Sequence, residues 1–145
     1  MYSRAAVNIG HHVYEVESPD LVRVKLQGDL SAEESELSVE LYRQVGEQCG
    51  RVLVMIDAST VGGIPVEARK TIQAALGVPF RGFVIHGGGF MARVLIKMLL
   101  NTLKLFIPSM DMPVEFCATK GEAERWIARR RAALGPLPGA SPLTS

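Results

Sequence analysis

Residues 51–57, RVLVMID, decide how the chain folds. An unbroken apolar run ending in an acid has no polar face to offer water, and this is how a central strand covered on both sides reads. On its N-terminal side, residues 21–27, LVRVKLQ, alternate instead. Val22, Val24 and Leu26 share one face, and Arg23, Lys25 and Gln27 the other, as in a half-buried strand. Residues 13–17 predict a weaker strand, and Ser18, Pro19 and Asp20 supply the turn of a hairpin between the two. Ser31 opens a helix with Glu34 completing a capping box. Leu37, Leu41, Tyr42 and Val45 form the expected inner face of this helix, and Gly50 follows its end, where a left-handed cap costs little.

C-terminal to the central run, Pro65 takes a favoured first helical position. Ala68, Ile72, Ala75 and Leu76 point inward from that helix, which Gly77 and Pro79 stop. Residues 80–86 predict a second central strand. Gly87, Gly88 and Gly89 follow it, then a strongly apolar helix that Pro108 ends. Residues 112–118 alternate as an edge strand, and Thr119 with Glu122 opens a last helix carrying Ala123, Trp126 and Ile127 inward. Strands alternating with helices predict an α/β fold. The sheet is mixed, mostly parallel, of about five strands with four helices and right-handed crossovers.

The chain has 145 residues, enough for one domain with a sizeable core. We expect that domain over residues 11–134, with a flexible tail at 1–10 and a proline-rich, disordered one at 135–145. A net charge of +1 gives no bulk electrostatic case for nucleic acid. Cys49 and Cys117 form neither a disulfide framework nor a metal-ligand spacing, which points to a reducing, cytoplasmic setting. The first residues lack the apolar centre of a signal peptide. The longest apolar segment is interrupted by Arg93, Lys97, Asn101 and Lys104, so no membrane span is expected.

Four groups of residues invite a chemical reading. His86 with the three glycines resembles an esterase oxyanion loop, but no G-x-S-x-G elbow accompanies it. The same glycines formally match G-x-G-x-x-A, yet they follow the wrong strand, and Asp111 precedes a strand instead of ending one. The plainer role is a tight turn, with an anion site at Gly87, Gly88, Gly89 and Arg93 as an intermediate possibility. Asp57 with Ser59 forms a possible polar site at a strand end, where the carboxylate either caps the next loop or serves chemistry. His11 and His12 read as a solvated pair, and the run Arg129, Arg130 and Arg131 as complementing a helix dipole. No metal or cofactor is expected.

The apolar helix is the stronger anomaly. At about 100° per residue, Arg93, Lys97, Asn101 and Lys104 occupy a stripe roughly 80° wide. A helix covering one sheet face needs an apolar arc only a little over 100°. The surplus must be covered by neighbouring helices, a second subunit or partner, or an apolar ligand. Met91, Leu95, Met98, Leu99, Leu103 and Phe106 are the candidate partner- or ligand-binding residues, with methionines suited to repacking.

Four stretches carry a resemblance: VRVKLQGDLSAEE, RVLVMIDAS with PVEARKTI, the strand and glycine turn before the long helix, and PVEFCATKGEAERWI. Together they resemble the STAS domain, and most of all its SpoIIAA-like branch of small bacterial proteins, over residues 12–134. The resemblance implies a regulatory or protein-binding domain without enzyme activity. It implies docking on a regulatory partner, and the surplus apolar arc of the third helix adds a homodimer as an expectation. Anti-sigma factor antagonists of this group are switched by phosphorylation of a serine at the start of the second helix. The equivalent residues here, 61–65, read VGGIP and carry no hydroxyl, and Ser59 and Thr60 lie too early, so the switch is not transferred. Similarity of the fold to CRAL-TRIO lipid-binding domains keeps a lipid-like small molecule as the alternative ligand, by fold analogy.

Overall fold

The computed structural model of the chain describes residues 4–106 and 111–138. Six strands form one sheet in sequence order: β1 (Arg4–Ile9), β2 (His12–Glu17), β3 (Leu21–Gly28), β4 (Val52–Val61), β5 (Phe80–His86) and β6 (Val114–Cys117). The first two pairings are antiparallel and the remaining three parallel. Helices α1 (Ala32–Cys49), α2 (Val66–Lys70) and α3 (Phe90–Phe106) cover one face; α4 (Lys120–Leu134) covers part of the other.

β4 bears out its reading as the centre. Val52, Val54 and Ile56 join the core beneath the first three helices, while Leu53 and Met55 join the smaller core beneath α4. α1 carries the expected capping box at Ser31 and Glu34 and ends at Gly50 with φ 85°. Thr119 caps α4 through the Glu122 N–H.

The sheet has one strand more than expected. Residues 4–9, read as tail, form β1 and pair with β2 across a turn at Gly10, whose φ is 61°. RAAVNI has no alternation because its partner strand, not its own pattern, holds it. At the other end, residues 135–138 are not tail either: the Gly135 and Pro136 carbonyls accept from Arg51 Nη1 at 2.9 and 3.4 Å. Residues 1–3 and 139–145 lie outside the described residues.

Two helices differ in detail. α2 spans five residues and tightens into a 3-10 turn over Thr71–Ala75. There Thr71 Oγ1 donates to the Ala68 carbonyl at 2.6 Å, competing with a continued α-helical ladder. On α1, Leu37 faces solvent, and Ser38 and Val39 face inward in its place. The Ser38 hydroxyl meets Tyr14 Oη at 2.5 Å, which sets the rotation of the helix.

Polar anchors replace two surface readings. His12 is fully buried: its Nδ1 accepts from the Gln27 N–H at 2.9 Å, so Nε2 carries the proton and faces the Asp29 carbonyl and Glu34. Two of the α4 arginines are also partnered. Arg130 binds Asp111 and the Arg81 carbonyl, and Arg131 binds Asp20. Asp111 thereby serves an ion pair, and its hydrogen bonds from Arg130 and Arg81 hold its carboxyl below the usual range.

Candidate functional site

α3 packs through Ile96, Leu100 and Leu103, all buried against the sheet. Burying each such side chain contributes about 1.5–3 kcal/mol. Leu103, placed among the candidate binding residues by the sequence, therefore belongs to the core. Leu95 and Leu99 are half-buried and pack against that core. Met91 and Met98 are 65% and 48% exposed, and they are joined by Phe90 at 79% and Leu105 at 80%. The Phe106 side chain lies outside the described residues. The surplus apolar arc is thus real, and its outer part is left exposed by the described residues. Leu105 and Phe90 are not among the residues that the sequence singles out for binding, although both lie in the apolar segment. Lys97 and Asn101 share the exposed face, and α3 contains three cations, Arg93, Lys97 and Lys104, and no acid.

Beneath α3 lies an apolar cavity of about 100 Å³. Its wall includes Tyr14, Tyr42, Phe80 and Leu99, with the Ser35–Thr71 hydroxyl pair at 2.5 Å. Burial pushes the Tyr14 phenol up to about 12, partly offset by its Ser38 hydrogen bond.

The glycine turn serves the backbone. Gly87 and Gly88 take φ of 71° and 76°, and a Cβ on Gly88 would sit 2.8 Å from the Ala58 carbonyl oxygen. Gly89 is exposed, and its carbonyl accepts from the Arg93 N–H at 3.2 Å. The Arg93 guanidinium reaches the Cys117 carbonyl at 3.4 Å. Gly87 and Gly88 thus serve the turn.

On the α4 face, Lys25, Asp57, His86 and Cys117 fall in one row across β3, β4, β5 and β6. Adjacent members of such a row are about 4.8 Å apart. Asp57 Oδ1 accepts from the Ser59 N–H at 3.0 Å and the Ser59 hydroxyl at 2.5 Å, and β4 runs on to Val61, so the carboxylate is tied to its own strand and caps no loop. Burial raises its pKa, but the two bonds from Ser59, with His86 and Lys25 nearby, outweigh that and lower it overall. His86 is pushed down by burial, opposed by Asp57 and Glu124 and reinforced by Lys120 and Arg23. Its folded pKa lies below the unfolded one, so the unfolded chain binds the proton more readily. The contribution of His86 to stability is therefore present above the ordinary histidine range and falls away as pH drops through it. We expect the loss of melting temperature between pH 7.5 and about 5.5 to be smaller in His86→Gln. An unchanged loss would contradict this assignment.

No protein-family model matches the sequence, and no curated protein matches it. Among solved structures, the chain is similar to an uncharacterized protein of the DUF3478 family from Shewanella loihica PV-4, described as having a SpoIIAA-like fold. The TM-score is 0.53 at 16% identity, covering 86% of this chain and 92% of that one. It is also similar to the unphosphorylated anti-sigma factor antagonist SpoIIAA, with TM-score 0.48 at 11% identity, covering 88% and 98%. Six strands in sequence order, with helices crossing between the parallel ones and α4 closing the chain, give it a SpoIIAA-like fold.

Proposed function

We propose that the chain is a non-catalytic regulatory domain that docks a partner protein on the outer face of α3. The observation that carries this is the run of four exposed large apolar side chains on one 17-residue helix, Phe90, Met91, Met98 and Leu105. Single exposed hydrophobics are ordinary, but a contiguous group marks an interaction surface. The fold is compatible with this role and does not by itself assign it. The α3 cations favour a partner with an acidic rim around an apolar groove. A symmetric dimer through this patch would set the same cations against themselves, because a two-fold interface is self-complementary. A regulatory partner therefore fits better than a second copy.

The lipid-carrier reading is supported less. Ligand pockets occupy roughly 300–1,000 Å³, and the cavity under α3 has about 100 Å³.

Sedimentation tests the choice of occupant. The protein is expected to run as a monomer at tens of micromolar. Met98→Glu and Leu105→Glu are expected to leave its stability within about 0.5 kcal/mol, as for exposed positions generally. A stable dimer that either substitution dissolves would replace the partner protein by a second copy.

A further inference from the structure

The α4 face holds a second site, on the side of the sheet opposite α3. A cleft of about 330 Å³ opens there, lined by Glu15, Lys25, Gln27, Asp57, His86 and Lys120. This is large enough for a small metabolite by the usual size of ligand pockets, ~300 Å³ and above. His86 lines it and is only 7% exposed, yet its ring makes no hydrogen bond among the described residues. A buried polar side chain without a partner in the fold calls for one from outside it. Asp57 spends Oδ1 on Ser59, and its other oxygen, Oδ2, has no hydrogen bond among the described residues. Lys25 and Lys120 bring two ammonium groups to the same walls. His86 ends β5, and Lys25 and Asp57 lie beside it in the C-terminal halves of β3 and β4, the end of the sheet where open α/β folds place ligand sites.

We propose that this cleft binds a small anionic metabolite carrying a hydroxyl group beside its carboxylate or phosphate. The ammonium groups of Lys25 and Lys120 take the anion, and Asp57 Oδ2 and the His86 ring take the hydroxyl. Neutral imidazole suits this role, since one ring nitrogen donates and the other accepts. Burial, which disfavours its charged form, keeps it in that state. The site stands independently of docking on α3.

Imidazole ¹H–¹⁵N spectra of the whole protein provide the test, with His86→Gln assigning the resonance among the three histidines. The probes are malate and glycerol 3-phosphate, with succinate, which lacks the hydroxyl, and sodium chloride at matched ionic strength as controls. A saturable shift of the His86 resonance with malate or glycerol 3-phosphate is expected at millimolar concentration. The Lys25→Ala/Lys120→Ala double variant, its fold checked by backbone amide spectra, should bind at least about tenfold more weakly. Malate binding without glycerol 3-phosphate binding identifies the anion as carboxylate, and the reverse as phosphate. Three results overturn the proposal: drift no greater than that with chloride for both probes, succinate binding as tightly as malate, or unchanged affinity in the double variant.

Discussion

Asp20→Ala is expected to remove about 3–5 kcal/mol of stability, the cost of breaking a buried ion pair from one side. The carboxylate is fully buried behind the β2–β3 turn. It accepts from Arg51 Nε at 2.7 Å through one oxygen and from Arg131 Nε and Nη2 at 3.0 and 2.7 Å through the other. These contacts tie the hairpin to the start of β4 and the end of α4. Arg131 also reaches Glu17, which pairs with Arg23, and Arg23 pairs with Glu124. Removing Asp20 leaves Arg51 buried beside carbonyls alone, which cannot compensate its charge. Urea unfolding measures the loss as a lowered midpoint at constant slope. A change below about 1 kcal/mol would mean that water enters and solvates the arginines.

Phe80→Ala is expected to cost a similar amount, about 3–5 kcal/mol, by a different route. Phe80 is 2% exposed and sits between Tyr42 at 5.4 Å and Phe83 at 4.9 Å, measured between ring centroids. It already borders the apolar cavity, so truncation enlarges a void instead of opening a new one. The cost should then sit toward the upper end, because a cavity held by a sheet on one side and three helices on the other collapses poorly. Benzene should restore part of the melting temperature of this variant, as apolar molecules do in engineered apolar cavities. Equal stability of variant and parent would show that α3 settles into the gap.

These two sites differ in how far the sequence discloses them. Phe80 opens a run, FRGFVIH, whose central position is plain from its lack of polar alternation. Asp20 looks like an ordinary turn residue after Ser18 and Pro19. Its buried role depends on Arg51 and Arg131, 31 and 111 residues away in the chain. Local patterns reveal strands, caps and the α3 anomaly because those obey periods of two or 3.6 residues. The partners of His12, Asp20, Arg130 and Arg131 obey no period and emerge only from the fold. β1 was hidden for the same reason, since pairing with β2 holds it. On α3 the wheel showed that apolar surface exceeded need, but not which part stayed outside. Leu103 turned in and Leu105 turned out because the sheet selects one stripe of the helix. In the polar cleft, Asp57 stands out as the acid that closes the apolar run, although β4 continues past it to Val61, and its row with Lys25 and His86 requires the register of three strands.

Site-specific photocrosslinking in the cell shows whether the outer face of α3 docks a partner protein. A photoreactive residue is placed at Met98 or Leu105 in the full chain and activated in the native cell, with exposed Glu47 as the control position. One heterologous protein with an acidic surface is expected, captured at positions 98 and 105, absent at position 47, and lost with Lys97→Glu. Crosslinks only between copies of this chain, only to lipid, or equal at all three positions would contradict it.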